Sequence, residues 1–529
     1  MNNLTEYIYQ SQRRVIMGKN YAVATSQPLA TLAGMEMFLK GGNAVDAAIA
    51  TAITLTVVEP TSNGIGGDAF AIVYDGKIHG LNASGFSAES LNLSMYESLD
   101  KIPFYGWLSV TVPGVVSAWY SLWQKWGKLP FEQLFEPAIR HADSGFPVSP
   151  ITAIAWQKSA DVYLSLNHPQ FNHFKQVFFP NNKAPEAGEI WGSKLHAQTL
   201  KEIAQTGGES FYRGKLAEKI ANFASDTGGF LTLEDLRNHQ AEWVTPINTQ
   251  YRDLTVWELP PNTQGIATLM ALNILENFDI KQYPRESVAS YHLQIEAMKL
   301  ALTDVYRYIG DPNFLEVGIN QLLSKDYAQK RAALITEKAL KASPGIFGGG
   351  TVYLTTADQD LKVSYIQSNY TGFGSGILIP ETGITLQNRG ACFNLEANHP
   401  NQIAPKKRPF HTIIPGFITK ENKPLFTLGV MGGYMQPQGQ LQVIVNLTDY
   451  NMNPQTALDA PRWNFYPDNT VKLEPTVSPL IAKELTQREH KIEITEDISI
   501  FGKGQIISTQ NDILIAASEY RADGLALAG

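Results

Sequence analysis

Apolar positions along the chain change period several times, and the changes outline its elements. Over residues 26–40, Leu29, Leu32, Ala33, Met37 and Leu39 share one broad face, which predicts a helix stopped at Gly41-Gly42. Asn43 can cap a second helix over 44–57. That segment is alanine-rich and apolar nearly all round, the pattern of a buried helix. A glycine turn at 64–67 leads into a strand, a turn at Asp75-Gly76 and a second strand. The middle of the chain reads as helical over 116–126, 131–143, 215–224 and 291–308. The stretch 331–347 begins as a charged helix and decays into Pro344, Gly345 and Gly348-Gly349-Gly350, so its end is expected to be exposed and flexible. Beyond it the texture is β-rich: 352–357, the turn Asp358-Gln359-Asp360, 362–368, a strand around Ile377, then 413–419 and 425–430. A helix follows over 438–448. There is no internal repeat and no low-complexity tract. Strands and helices mixed over the whole length indicate a layered α/β protein.

Composition narrows the function. Of 529 residues 44% are hydrophobic and 17% charged, with 42 Lys plus Arg against 50 Asp plus Glu, a net charge of −8. A mildly acidic chain without a basic block lacks the clustered cations that phosphate binding requires, which argues against nucleic acid. The single cysteine, Cys392, excludes an internal disulfide and a cysteine zinc cluster. No secretory signal is legible in the first 21 residues, and the longest apolar run nearby is too short to span a bilayer. The expectation is a soluble, cytoplasmic protein.

Several chemistries lack their motifs. There is no G-x-S-x-G, no H-E-x-x-H and no G-x-x-x-x-G-K-[ST], and the 64–67 turn lacks the third spaced glycine of a dinucleotide fingerprint. The ten histidines form no metal-ligand pair. His411, in the run Arg408-Pro409-Phe410-His411-Thr412, reads either as a buried hydrogen-bonded histidine or as a site residue. The informative junction is Gly350-Thr351. Were the bond before Thr351 cut, its α-amine, with a reference pKa of about 7.7–8.0, could serve as general base for its own hydroxyl. The competing reading is a glycine linker before an ordinary strand threonine.

The chain resembles the γ-glutamyltranspeptidase family of N-terminal nucleophile hydrolases. The resemblance is carried in order by GGNAVDAAIA (41–50), PTSNGIGGDAF (60–70), VPGVVSAW (112–119), GGFLTLEDL (228–236), PPNTQG (260–265), FGSG (373–376), KRP (407–409) and GVMGG (429–433). It implies a four-layer αββα sandwich and a proenzyme that cuts itself between Gly350 and Thr351. Residues 1–350 and 351–529 would then form a large and a small subunit, intertwined in one fold. Further dimerisation is left open. Thr351 would be the nucleophile, and Gly432 and Gly433 the oxyanion hole, donating backbone N–H groups to the developing charge. Ser368 matches the hydroxyl position near the nucleophile, while Asn369 and Tyr370 beside it receive no role. No metal, cofactor, membrane or nucleic acid is implied.

The departures from the family concern substrate. Glutathione-cleaving members hold the substrate carboxylate with an arginine in the segment matching 82–88, which here is NASGFSA. They hold its amine with an acidic residue at the position of Cys392. The serine pair after KRP is replaced by His411 and Thr412, and 394–406 is too short for the lid loop of some members. Instead, Arg389 in LQNRG, followed by HPNQIAP and RPFHTIIPG, looks like the subgroup that includes oxamate amidohydrolase. Arg389 offers a planar donor fork for a carboxylate, or it braces a loop through an ion pair. The expected substrate is a small carboxylate-bearing amide bound by Ser368, Arg389, His411 and Thr412. The alternatives are an ordinary γ-glutamyltransferase or glutathione hydrolase and an uncleaved, non-catalytic binder of small acids.

Overall fold

The computed structural model describes residues 9, 13–341 and 350–529. Two seven-stranded antiparallel sheets lie at the centre. One runs in the order Leu525–Ala528, Tyr21–Thr25, Gly350–Asp358, Lys362–Tyr370, Asp68–Tyr74, Ile78–Ala83, Glu242–Val244. The other runs Ile16–Gly18, Ile513–Ser518, Lys503–Gln510, Lys423–Met431, Gly416–Lys420, Leu254–Glu258, Ile247–Tyr251. Both sheets mix strands from before and after residue 350, so neither half of the chain completes a sheet alone.

The sheets face each other across a core that includes Phe70, Tyr353, Ile366, Phe417 and Met431. Helices cover the two outer faces. Ala44–Val58 lies on the first sheet, and Gly265–Leu275 and Met435–Thr448 lie on the second. The result is the expected four-layer αββα sandwich. It explains why Gly350–Asp358 and Lys362–Tyr370 show no polar alternation: sheet lies on one side and helix on the other, and nearly every position is buried.

Local signals act as expected at many places. Asn43 caps Ala44–Val58 by accepting from Val45 and Asp46, and the Asp46 side chain returns the bond in a capping box. All fifteen residues of that helix are buried. Helices also form at Pro28–Leu39, Val115–Trp126, Lys215–Thr227 and Val288–Tyr308.

Three expectations need correction. Residues around Ile377 make only an isolated bridge, Leu378 to Thr385, and no strand. The strand expected from 413 begins at Gly416, because the N–H of Ile414 is taken by the Gln436 side chain at 3.0 Å. The helix expected from Arg331 lies earlier, at Lys325–Ala332, capped by Ser324. Residues 336–340 are not free: their backbone groups bond to buried side chains and to Arg488. The remainder of that stretch, 342–349, including Gly348 and Gly349, lies outside the described residues.

Candidate active site

Thr351 is the second residue of a strand in the middle of its sheet, and it is buried. The pairing of this strand with Lys362–Tyr370 shifts register between Gly350 and Val352. Such an irregularity re-aims side chains. Here Ser368 faces the junction. The Thr351 hydroxyl lies 3.2 Å from Ser368 Oγ, and Ser368 Oγ donates to the carbonyl oxygen of Gly350, the carbonyl of the bond proposed to break. The N–H of Tyr370 donates to Ser368 Oγ at 2.7 Å, fixing that hydroxyl. Tyr370 adopts φ +78°, uncommon for a bulky residue.

On the far side, Gln436 Nε2 approaches the Thr351 hydroxyl at 3.4 Å. Gln436 lies in the first turn of Met435–Thr448, and that turn follows Gly432 and Gly433. These glycines have φ +141° and +62°, conformations that favour glycine. Their N–H groups donate to no acceptor among the described residues. Two free N–H groups where a helix begins can receive negative charge. Gln264 ties this turn to the next segment: its Nε2 donates to Gly433 O at 2.9 Å and to Thr412 O at 2.5 Å.

Arg389 is fully buried. Its Nη1 donates to Thr412 Oγ1 at 2.7 Å and its Nη2 to Ser368 Oγ at 3.3 Å, with the guanidinium 4.4 Å from the Tyr370 ring centre. Nε has no partner. Among the described residues no carboxylate comes within ion-pair distance of it, and the nearest named one, Asp68, feels its charge only at longer range. A buried cation paired only with hydroxyls, a thiol and a ring is poised for an anion.

His411 is fully buried, with Nε2 3.1 Å from Asp68 Oδ2 and Nδ1 unpartnered. Burial raises the Asp68 carboxyl to about 7, against the opposing pull of Arg389. Burial, then Arg389 and Arg408, hold His411 well below its ordinary value, so its imidazole is neutral.

Side-chain bonds join Gly350, Thr351, Ser368, Arg389 and Thr412, and Gln264 links Thr412 and the His411 backbone to Gly433, next to Gly432; the His411 ring itself turns to Asp68. The sequence did not single out Asp68, Gln436 or Gln264. Asp68 and Gln264 sit inside quoted motifs, and Asp68 pairs in register with Ser368. Asn369 Nδ2 donates to Phe373 O at 3.2 Å and to Thr385 Oγ1 at 3.3 Å. A side chain at Gly67 would meet Asn369 and the Ser368 carbonyl within 3.0 Å, so that glycine serves close packing.

A cavity of about 360 Å³ adjoins the network. Cys392 and Tyr434 line it with Phe104, Tyr306, Phe393 and Phe410. Cys392 Sγ lies 3.8 Å from Arg389 Nη1. Burial pushes its thiol up, so it is neutral.

Residues 30–529 match the family model described as Gamma-glutamyltranspeptidase. The chain belongs to the γ-glutamyltranspeptidase family. It is 34% identical over 524 residues to the Glutathione hydrolase-like YwrD proenzyme of Bacillus subtilis, covering 97% of this chain and 99% of the relative. It is 33% identical over 519 residues to the Oxamate amidohydrolase proenzyme of Klebsiella pneumoniae, covering 94% and 96%. Among solved structures, a cephalosporin acylase from Bacillus halodurans superposes with a TM-score of 0.95 at 48% identity, covering 100% of this chain and 99% of that one. Within its family the chain is an amide-bond hydrolase. Among the described residues no helix is long and apolar enough to cross a membrane.

Proposed function

We propose that the chain cuts itself between Gly350 and Thr351 and then hydrolyses carboxylate-bearing amides with the freed Thr351. In the first step the Thr351 hydroxyl adds to the Gly350 carbonyl, whose oxygen already accepts from Ser368. As the C–N bond breaks, the amide becomes an ester and the α-amine of Thr351 is freed; water then cleaves the ester, leaving the Gly350 carboxylate and the free Thr351 hydroxyl. In the mature site that amine takes the proton of the hydroxyl as it attacks a substrate carbonyl. The N–H groups of Gly432 and Gly433 receive the oxyanion. The leaving amine departs, and water cleaves the acyl ester. Several relatives are named as proenzymes, which supports the first step.

The observation that carries the substrate reading is Arg389: a buried guanidinium with no carboxylate within ion-pair distance among the described residues, joined to Thr351 through the single hydroxyl of Ser368. It suits a carboxylate close to the reacting carbonyl, as in oxamate. The segment 82–88 offers no arginine and Cys392 no charge, so the arginine and the acidic residue expected to hold the two ends of a glutamyl group are missing from those positions. The test is kcat/KM measured side by side on oxamate, other small anionic amides and a γ-glutamyl anilide. Equal or better turnover of the anilide returns the enzyme to ordinary γ-glutamyl chemistry.

A second reading, an acylase of larger amides, is favoured by the 360 Å³ aromatic cavity beside Cys392, which exceeds what oxamate fills. Preference for an anionic acyl group on a bulky amine over oxamate would establish it, with Arg389 keeping its role.

A further inference from the structure

The helix Val288–Tyr308 buries a second polar cluster, on the outer layer of the second sheet. His292, Glu296 and Lys299 share one face, and His490 meets them from the turn between Pro479–Gln487 and Lys491–Ile494. The distances assign the protons. His292 Nε2 lies 2.7 Å from the carbonyl oxygen of Thr336, which only accepts, so that nitrogen carries the hydrogen. His292 Nδ1 then accepts from His490 Nε2 at 2.8 Å. His490 Nδ1 in turn accepts from the Lys299 ammonium at 3.4 Å. Lys299 pairs with Glu296 at 2.7 Å and donates to Leu340 O at 3.3 Å. Glu296 Oε2 accepts the N–H of Leu340 at 2.7 Å. Ala339 N–H donates to Arg488 O at 2.7 Å, and Lys338 pairs with Glu489 at the surface.

His292, Glu296 and His490 have the residue types of a metal site, with donor atoms within 4.8 Å of one another. The Lys299 ammonium already neutralises Glu296, and a proton already joins the two rings. Glu296 Oε1 thus faces an ammonium where a metal ion would stand, 2.7 Å from Lys299 Nζ and 3.8 Å from His490 Nδ1. What the cluster holds is backbone from residues 336–340, the segment leading to the proposed cut. Helix and segment belong to residues 1–350, whereas Arg488, Glu489 and His490 belong to 351–529.

We propose that this cluster is a latch between the two subunits, which docks residues 336–340 on the 488–490 turn and keeps them there once the Gly350–Thr351 bond is broken. The proposal rests on that cut. Withdrawing the segment would strand the His292 Nε2 hydrogen and Glu296 Oε2 in a buried site, which is strongly disfavoured. With the latch, the last anchor that the large subunit has before the strand at Gly350, among the described residues, is Leu340. Without it that anchor would lie near the end of Lys325–Ala332.

The test uses the purified full-length protein. Its intact masses are read first, so that an uncut chain is recognised as failure of the cut rather than of the latch. On the two-chain protein, brief trypsin treatment should cleave after Lys341 at least tenfold faster than after Lys338. Hydrogen exchange of the peptide 333–341 should be slow in the wild type and at least tenfold faster in His490→Phe and in Lys299→Met, with Lys362–Tyr370 unchanged. The trypsin comparison needs no variant, so a misfolded substitution does not decide the matter. Equal cleavage after Lys338 and Lys341, or exchange that neither substitution alters, overturns the latch. So does stoichiometric zinc binding that is lost in His490→Phe, which would make the cluster a metal site.

Discussion

Replacing Arg389 by methionine removes the guanidinium while keeping much of its volume. The wild-type side chain is fully buried, holds Thr412 and Ser368, and leaves Nε unpartnered. A substrate carboxylate entering beside it would accept charge-assisted hydrogen bonds worth about 1.5–3 kcal/mol each. Two such bonds, less the cost of drying both ions, leave roughly 3–5 kcal/mol, the usual cost of deleting one partner of a buried ion pair. At about 1.4 kcal/mol per factor of ten, kcat/KM for oxamate should fall roughly a hundred- to a few-thousand-fold. Because the carboxylate is held equally before and during reaction, most of the loss should appear in KM. Self-cleavage involves no outside carboxylate and should stay within about tenfold of wild type. The assay is ammonia release from oxamate over a substrate series, with neutral acetamide as reference. Arg389→Met within threefold of wild type on oxamate, or an equal loss on acetamide, would refute the assignment of Arg389 to the carboxylate.

Thr351→Ala should abolish both chain cutting on a denaturing gel and amide hydrolysis, whereas Thr351→Ser keeps a measurable part of each; normal maturation of the alanine variant would place the nucleophile elsewhere. Gly432→Ala should fold, yet lower kcat by about 10²–10³, because φ +141° disfavours a side chain and its N–H would turn away; an unchanged kcat removes this glycine from the oxyanion role. Asp68 is raised by burial from 3.8 to about 7, so the folded protein keeps a proton there that the unfolded chain has released. Stability should therefore fall as pH rises from about 4 to about 7 and level off above. Asp68→Asn should flatten that slope in urea unfolding at pH 5 and 7.5, and an unaltered slope would contradict the buried, protonated carboxyl.

What the sequence made legible was local. The helix Ala44–Val58 could be read because its apolar residues face every direction and Asn43 sits one step before it. The strand after Gly350 could be read because β-branched and aromatic residues cluster there. Short edge strands such as Ile16–Gly18 and Glu242–Val244 carry too few residues for any period. Within the site, Thr351, Arg389 and the glycine pair stood in recognisable runs. Gln436 and Gln264 did not: a glutamine inside a helix, or at its start, looks like surface, and only the fold reveals that it bridges Thr351 or Gly433. Asp68 was hidden for the same reason, since its partner His411 is 343 residues away. That residues 336–340 are anchored was not legible because their partners, Glu296, Lys299 and Arg488, are equally remote.

The central claim is that Thr351 becomes an N-terminus. The most direct measurement is intact mass spectrometry of the purified protein after incubation at neutral pH, with N-terminal sequencing of every chain found. The account predicts two chains, residues 1–350 and 351–529, the second beginning Thr-Val-Tyr-Leu. A single chain of full mass that still hydrolyses amides, or a second chain beginning at any other residue, would contradict it.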